Sequence, residues 1–439
     1  MSSPRVTIAP PTRLALRLDR LEVANFGPVK EANLDFSTDV TFIVGPQSSG
    51  KTYLATLAYT LNRQAQHLVF NSLTSALAIR LFDQGLQGSI STQALVEFVR
   101  GQGSSIAAGM EEPTAIPFLA SLPNSLPGTF GVNKPADLVR RGEDRLAFNC
   151  DYALDGLRLL RAEFTVPITG NPSFRVSISA EAIQRFVELT HLQLTVMGRG
   201  GWQSQFLGVQ IPPTFFIPTE RMMLLPIFSS YLSLLVQLSR PSGIQPTFGV
   251  QFPRFPQPLL DYMQDVTAAM TAAGGRPKPI DLLDFGQLRF EGGKVLFYDS
   301  KRSALTDLSR AASGVAQAAG IAFIAESEPP ADTLFIEEPE LNLHADAQLR
   351  ITEYVSKLSA RSRVVLTTHS QYVIALLGIL RAQGKLRTLR GYFLNPASDT
   401  AEQVHVDEVS GSIALPRSIE LALESLGEQA ASLDKPEDE

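Results

Sequence analysis

Cysteine is almost absent: Cys150 is the one thiol in 439 residues. A single thiol cannot close an intramolecular disulfide or build a cysteine-based structural zinc site, and such usage suits a reducing compartment. Charge is also scarce. Asp, Glu, Lys and Arg make up 19% of the chain, against roughly 25% in an ordinary soluble protein. The net charge of −6 argues against a surface coated for nucleic acid, while leaving room for a local basic patch. Long hydrophobic runs are missing too. No stretch reaches the roughly 18 apolar residues of a membrane span, and the best candidates, Leu224–Val236 and Ala311–Ala325, are interrupted by Pro, Ser, Gly or Gln. Met1–Thr12 has one Arg and no apolar core, so no signal peptide is expected there. The expectation is a cytoplasmic globular protein of two or three domain-sized units. Yet 44% of residues are hydrophobic, so either the core is large or a partner covers part of the surface.

Patterning supplies the elements. Leu14, Leu16 and Leu18, then Leu21 and Val23, alternate with polar residues, and Leu34 and Phe36 follow the turn at Gly27-Pro28. That is the period of half-buried strands. Val40–Val44 is a continuous apolar and β-branched run, as in a parallel strand covered on both faces. Helices are expected over Tyr53–Leu61, Leu68–Leu86, Thr92–Val99, Ala180–Leu194 (with Ser179 as N-cap) and Met223–Leu238. Gly101–Lys134 reads as a long loop, and Ala162–Ile168 with Phe174–Ile178 as a hairpin. Five prolines between Pro241 and Pro258 mark an irregular excursion. From Ala311 onward helices alternate with apolar strands at Thr333–Ile336, Arg363–Leu366 and Gly391–Leu394, the pattern of an α/β parallel sheet.

Four motifs carry chemistry. Gly45-Pro46-Gln47-Ser48-Ser49-Gly50-Lys51-Thr52 fits G-x-x-x-x-G-K-[ST] between a strand and a helix. Its glycines let consecutive amides wrap a phosphate at a helix N-terminus, Lys51 can reach the β- and γ-phosphates, and Thr52 can ligate Mg²⁺. Thr333–Ile336 runs into Glu337-Glu338-Pro339-Glu340, placing acids at the carboxyl edge of the sheet. Glu337 is assigned to the metal, Glu338 to activation of the attacking water, and Glu340 to the surface or a helix N-terminus. Among His67, His191, His344, His369 and His405, only His369 ends a strand, Val364–Leu366, that follows the acidic one. It can donate to a γ-phosphate. Ser313-Gly314 opens a helix and offers a second anion-binding N-terminus, a weak pattern when taken alone.

The order of these motifs resembles the ABC-type ATPase heads of the SMC, RecF and OLD clade, and most of all its short AAA-like members without long coiled coils. The residues that carry it are Gly45–Thr52, Ser313-Gly314-x-x-Gln317, Phe335–His344 and Thr367–Ser370, with Leu21-x-Val23-x-Asn25-Phe26 as an opening. The resemblance covers residues 14–65 and about 285–410. It implies a P-loop NTPase: an α/β head with a mixed sheet flanked by helices, an antiparallel β subdomain and a helical or irregular insertion. Gly45, Gly50, Lys51 and Thr52 would be the Walker A loop, Glu337 the Walker B acid, Glu338 the catalytic glutamate and His369 the switch histidine. Ser313-Gly314 would be the signature that completes a partner's ATP site, and Asn342–Asp346 the loop coupling two sites. A Walker B Glu in place of the commoner Asp, and a signature short of Leu-Ser-Gly-Gly-Gln, are departures. Arg221, after Phe215–Ile217, is the counterpart offered for the missing Gln-loop, as a phosphate or interface contact; a structural surface Arg is the equal alternative.

The implied organisation is an arm at 1–12, head at 13–66, insertion at 67–143, a β and helix region at 144–210, a helical lobe at 211–300, head again at 301–415, and a helix with acidic tail at 416–439. Too few residues follow His369 for a Toprim nuclease domain. The expected function is an ATP- and Mg²⁺-dependent ATPase that homodimerises around ATP and switches DNA or a separately encoded effector protein, in DNA repair or antiphage defence, away from membranes. A non-hydrolytic ATP-gated scaffold or sensor and a transporter ATPase subunit are the alternatives.

Overall fold

The computed structural model describes residues 12–110, 122–198, 201–206, 209–221, 224–225, 256–272, 278–283, 285–291 and 294–414. Its main sheet takes strands from most of the chain: β1 (Leu16–Phe26), β2 (Val29–Asp35), β3 (Val40–Val44), β4 (Arg145–Leu154), β5 (Leu157–Pro167), β6 (Ser173–Ile178) and β7 (Thr214–Ile217). Four strands, β8 (Ile280–Leu282), β9 (Gly286–Glu291), β10 (Lys294–Asp299) and β11 (Ala304–Asp307), form a separate antiparallel meander. The main sheet resumes with β12 (Thr333–Glu337), β13 (Arg363–Thr368), β14 (Leu389–Asn395) and β15 (Thr400–Val406). The helices are α1 (Lys51–Asp83), α2 (Thr92–Met110), α3 (Leu122–Phe130), α4 (Ala180–Thr190), α5 (Gln257–Ala272), α6 (Ser313–Ala325), α7 (Ala345–Leu358) and α8 (Gln371–Ala382).

Across the sheet the order is β7-β12-β13-β3-β14-β15-β2-β1-β4-β5-β6. The half from β7 to β14 is parallel, and the half from β2 to β6 is antiparallel. This is the mixed sheet with an antiparallel extension that the motif order implies. Both faces of the parallel half are covered, which explains its uninterrupted apolar strands. Val40, Phe42 and Val44 point into a core shared with α6, α7 and α8, whereas Ile43 points into the core shared with α1. Phe335 and Val365 face α1 in the same way, with Leu334, Ile336, Val364 and Leu366 on the opposite face.

Several local expectations change. Tyr53–Leu61 and Leu68–Leu86 belong to one helix, α1, because Lys51–Asp83 holds neither Gly nor Pro and the polar residues after Leu61 do not break it. Much of Gly101–Lys134 is helical rather than loop. α2 continues to Met110, and Gly103 sits where a Cβ would come within 2.8 Å of the Ala180 Cβ, so glycine there serves close helix packing. α4 is capped by Ser179, whose hydroxyl accepts from the Ala182 N–H at 3.0 Å. It stops at Thr190, because His191 turns left-handed and Leu192–Gly198 becomes a strand. The excursion's last residues instead open α5, with Pro258 in the first turn, where its missing N–H costs nothing. Most of the helix expected over Met223–Leu238, the remainder of the excursion, and the N-terminal arm and C-terminal tail lie outside the described residues. No helix among the described residues is long and apolar enough to cross a membrane.

Candidate active site

The loop Gly45–Gly50 links the end of β3 to the start of α1. Gly50 is the residue before the helix and has φ +99. A Cβ there would lie 2.6 Å from Val29 Cγ2, so both conformation and space require glycine. Lys51 folds back over the loop, and its Nζ donates to the carbonyls of Gly45 at 2.9 Å and Pro46 at 2.7 Å. Burial pushes this ammonium down to about 8, against the opposing attraction of Glu338 and Glu340.

Strand register brings the other motifs beside this loop. Val44 at the end of β3 pairs with Thr368 at the end of β13, and Thr367 pairs with Glu337 at the end of β12. Three strands therefore deliver their motifs at one carboxyl edge. Glu337 is buried, and the Thr52 hydroxyl and the Thr219 N–H beside it favour its charged form. Burial is the main reason its carboxyl is raised to about 7, with the charge of Glu220 adding to it. Its Oε1 has no partner among the described residues. Glu338 follows in a left-handed conformation, φ +40, with its N–H donating to the Thr367 carbonyl at 3.0 Å. Glu338 Oε1 lies 3.3 Å from His369 Nε2, both side chains being partly exposed.

Two residues stand elsewhere than expected. Glu340 is not a surface acid: it is 7% exposed, and its Oε1 accepts from the Thr368 hydroxyl at 2.6 Å, the His369 N–H at 2.7 Å and the Ser370 N–H at 3.2 Å. A buried carboxylate is tolerated because it gathers several donors. Arg221 is neither a surface residue nor free to meet a phosphate. It is fully buried and donates to the carbonyls of Pro218, Glu337 and Glu338. The sequence signal for both was faint: one follows the acidic strand after an intervening proline, the other follows β7, the parallel neighbour of β12.

Ser313 is the exposed first residue of α6, and its N-cap Ala312 provides no side-chain cap. Gly314 packs against the Asn342-Leu343 turn. Gln317, one turn inside, is 1% exposed and both polar atoms of its amide lack a partner among the described residues.

No group of three or more His, Cys, Asp and Glu among the described residues could hold a metal ion. A two-ligand site is the alternative. The Thr52 hydroxyl beside the Glu337 carboxylate, one of whose buried oxygens is unbonded, is a hard oxygen pair. It fits Mg²⁺, which is usually held by one or two protein oxygens with the rest from water and phosphate.

Residues 236–375, about a third of the chain, match the family described as "AAA domain, putative AbiEii toxin, Type IV TA system". No curated protein matches. Among solved structures, the SMC head domain from Thermotoga maritima is 12% identical, with 89% of this chain and 99% of that chain covered and a TM-score of 0.40. The recombination mediator protein RecF-ATPrS is also 12% identical, with 90% of this chain and 98% of that chain covered and a TM-score of 0.35. The fold class itself rests on the strand order and on the motifs gathered at one sheet edge. That order and those motifs make a mixed α/β sheet with a phosphate-loop motif and acidic residues at one carboxyl edge, and residues 236–375 are similar to an AAA domain.

Proposed function

We propose that the chain binds and hydrolyses ATP and works as a nucleotide-driven dimeric switch. The amides of Gly45–Gly50 and the N-terminus of α1 bind the phosphates, and Lys51 leaves the Gly45 and Pro46 carbonyls to meet them. Thr52 and Glu337 hold Mg²⁺, which when bound neutralises charge on the β- and γ-phosphates. Glu338 orients the attacking water and accepts its proton, and His369, in reach of Glu338, donates toward the γ-phosphate. Ser313 and the amides at the start of α6 serve the nucleotide of a second copy. An exposed, uncapped helix start supports that reading. Closing the dimer grips DNA or an effector protein, and hydrolysis releases it, in repair or antiphage defence.

The observation that carries this reading is the register of β3, β13 and β12, which sets Lys51, Glu337, Glu338 and His369 at one edge. Phosphate release by the wild type, Lys51→Ala and Glu338→Gln proteins, with and without DNA, tests it. The wild type is expected to hydrolyse ATP, Lys51→Ala to lose nucleotide binding, and Glu338→Gln to bind ATP without turnover. A Glu338→Gln protein as active as wild type contradicts the reading.

A further inference from the structure

Arg221 is the largest fully buried side chain of the described residues. Its Nη1 donates to Pro218 O at 2.8 Å and Glu337 O at 2.7 Å, and its Nη2 donates to Glu338 O at 2.7 Å. All three acceptors are main-chain carbonyls. Two of them belong to the turn in which Glu338 stands at φ +40, a conformation that non-glycine residues adopt only when their surroundings hold them.

The other end of the side chain touches a different element. A Cβ at Gly320 would lie 2.9 Å from Arg221 Cβ and 3.1 Å from Cγ, so the aliphatic stem is pressed against α6 where glycine makes room. The Tyr262 hydroxyl, from α5, donates to the Gly320 carbonyl at 3.4 Å on the same side. α6 is the helix that opens with Ser313-Gly314. One side chain thus spans from the middle of that helix, by its aliphatic stem, to the carbonyls of Glu337 and Glu338, by its planar guanidinium.

A side chain serving only to fill space here would be apolar, because burying a guanidinium carries a desolvation cost that packing alone does not return. We infer that Arg221 is a positioning residue, fixing the main chain of Glu338 and passing displacements of α6 to that carboxylate. The inference rests on the reading of Glu338 as the group that activates water. It gives the helix start at Ser313 a mechanical route of one side chain to the hydrolytic acid of its own protomer. Nucleotide binding, which uses the Gly45–Thr52 loop, does not pass through Arg221.

Two variants of the full chain test this. Arg221→Lys keeps the charge but cannot reach three carbonyls with a planar fork. Gly320→Ala removes no polar group and crowds the stem, together with the Tyr262 hydroxyl, which a Cβ there would approach to 3.1 Å. Magnesium-dependent ATPase kinetics, affinity for a fluorescent ATP analogue and thermal melting are measured for each. The expected result is a fall in kcat of about tenfold for Arg221→Lys and a smaller one for Gly320→Ala, with analogue affinity within about twofold of wild type. Should Arg221→Lys fail to fold, Gly320→Ala decides. Unchanged kcat in the folded variants overturns the inference. So does a loss of analogue affinity equal to the loss of kcat, which would mark Arg221 as merely structural. A wild type that hydrolyses no ATP removes the reading of Glu338 itself, an outcome visible before any variant is made.

Discussion

The main-chain N–H of His369 donates to Glu340 Oε1 at 2.7 Å, so an acid after β12 fixes the backbone of the histidine after β13. The Thr368 hydroxyl and Ser370 N–H end on the same oxygen. Ser370 in turn caps α8, its hydroxyl accepting from the Val373 N–H at 3.3 Å. Replacing Glu340 with Ala strands these donors in a buried site. We expect a stability loss of about 1–3 kcal/mol per buried donor left unpaired and a fall in kcat as His369 loses its place. Glu340→Gln, which keeps an acceptor oxygen, is expected to fall between Ala and wild type. Thermal melts and ATPase rates on the two variants check the order.

Part of this site was legible in the chain and part was not. Gly45–Thr52 is contiguous and its chemistry follows from the spacing of two glycines, a lysine and a threonine. The strands Val40–Val44, Thr333–Ile336 and Arg363–Leu366 were readable because burial on both faces leaves an unbroken apolar run. Glu340 and Arg221 were misplaced because their partners are distant in sequence: Thr368 for one, the carbonyls of Glu337 and Glu338 for the other. The helices within 101–134 were hidden for a similar reason. Gly103 looks like a loop residue until Ala180 is set against it.

Gly50 offers a test of the phosphate loop that does not touch a charged group. A Cβ added at φ +99 meets Val29 Cγ2 at 2.6 Å and Pro28 Cγ at 2.9 Å. Gly50→Ala is expected to lose nucleotide affinity by at least about tenfold, equivalent to about 1.4 kcal/mol, because the loop amides are displaced. Equilibrium binding of a fluorescent ATP analogue checks it. Affinity equal to wild type would show that the loop tolerates a side chain there.

The metal assignment predicts a paired effect. Thr52→Ala removes one of the two oxygens proposed for Mg²⁺ and a hydroxyl that favours the charged form of Glu337. The variant is expected to need more Mg²⁺ for half-maximal ATPase activity, and EDTA to abolish activity in both proteins. An identical Mg²⁺ titration for Thr52→Ala and wild type would remove Thr52 from the metal.

Cys150 lies in β4 with 0% exposure, and burial pushes its thiol far above the usual range. The thiolate is the reactive form, so native protein is expected to resist maleimide at neutral pH and to label fully once unfolded. Labelling followed by intact-mass measurement reads this directly. Full labelling of folded protein would contradict the packing of β1, β4 and β5 around it.

In the proposed switch ATP joins two copies and hydrolysis at Glu338 lets them part. Solution mass of the Glu338→Gln protein with Mg²⁺, first with ADP and then with ATP, tests it most directly. One chain of 47.8 kDa is expected with ADP and a stable pair with ATP, the pair being absent when Lys51→Ala is added. The same mass under both nucleotides would contradict it.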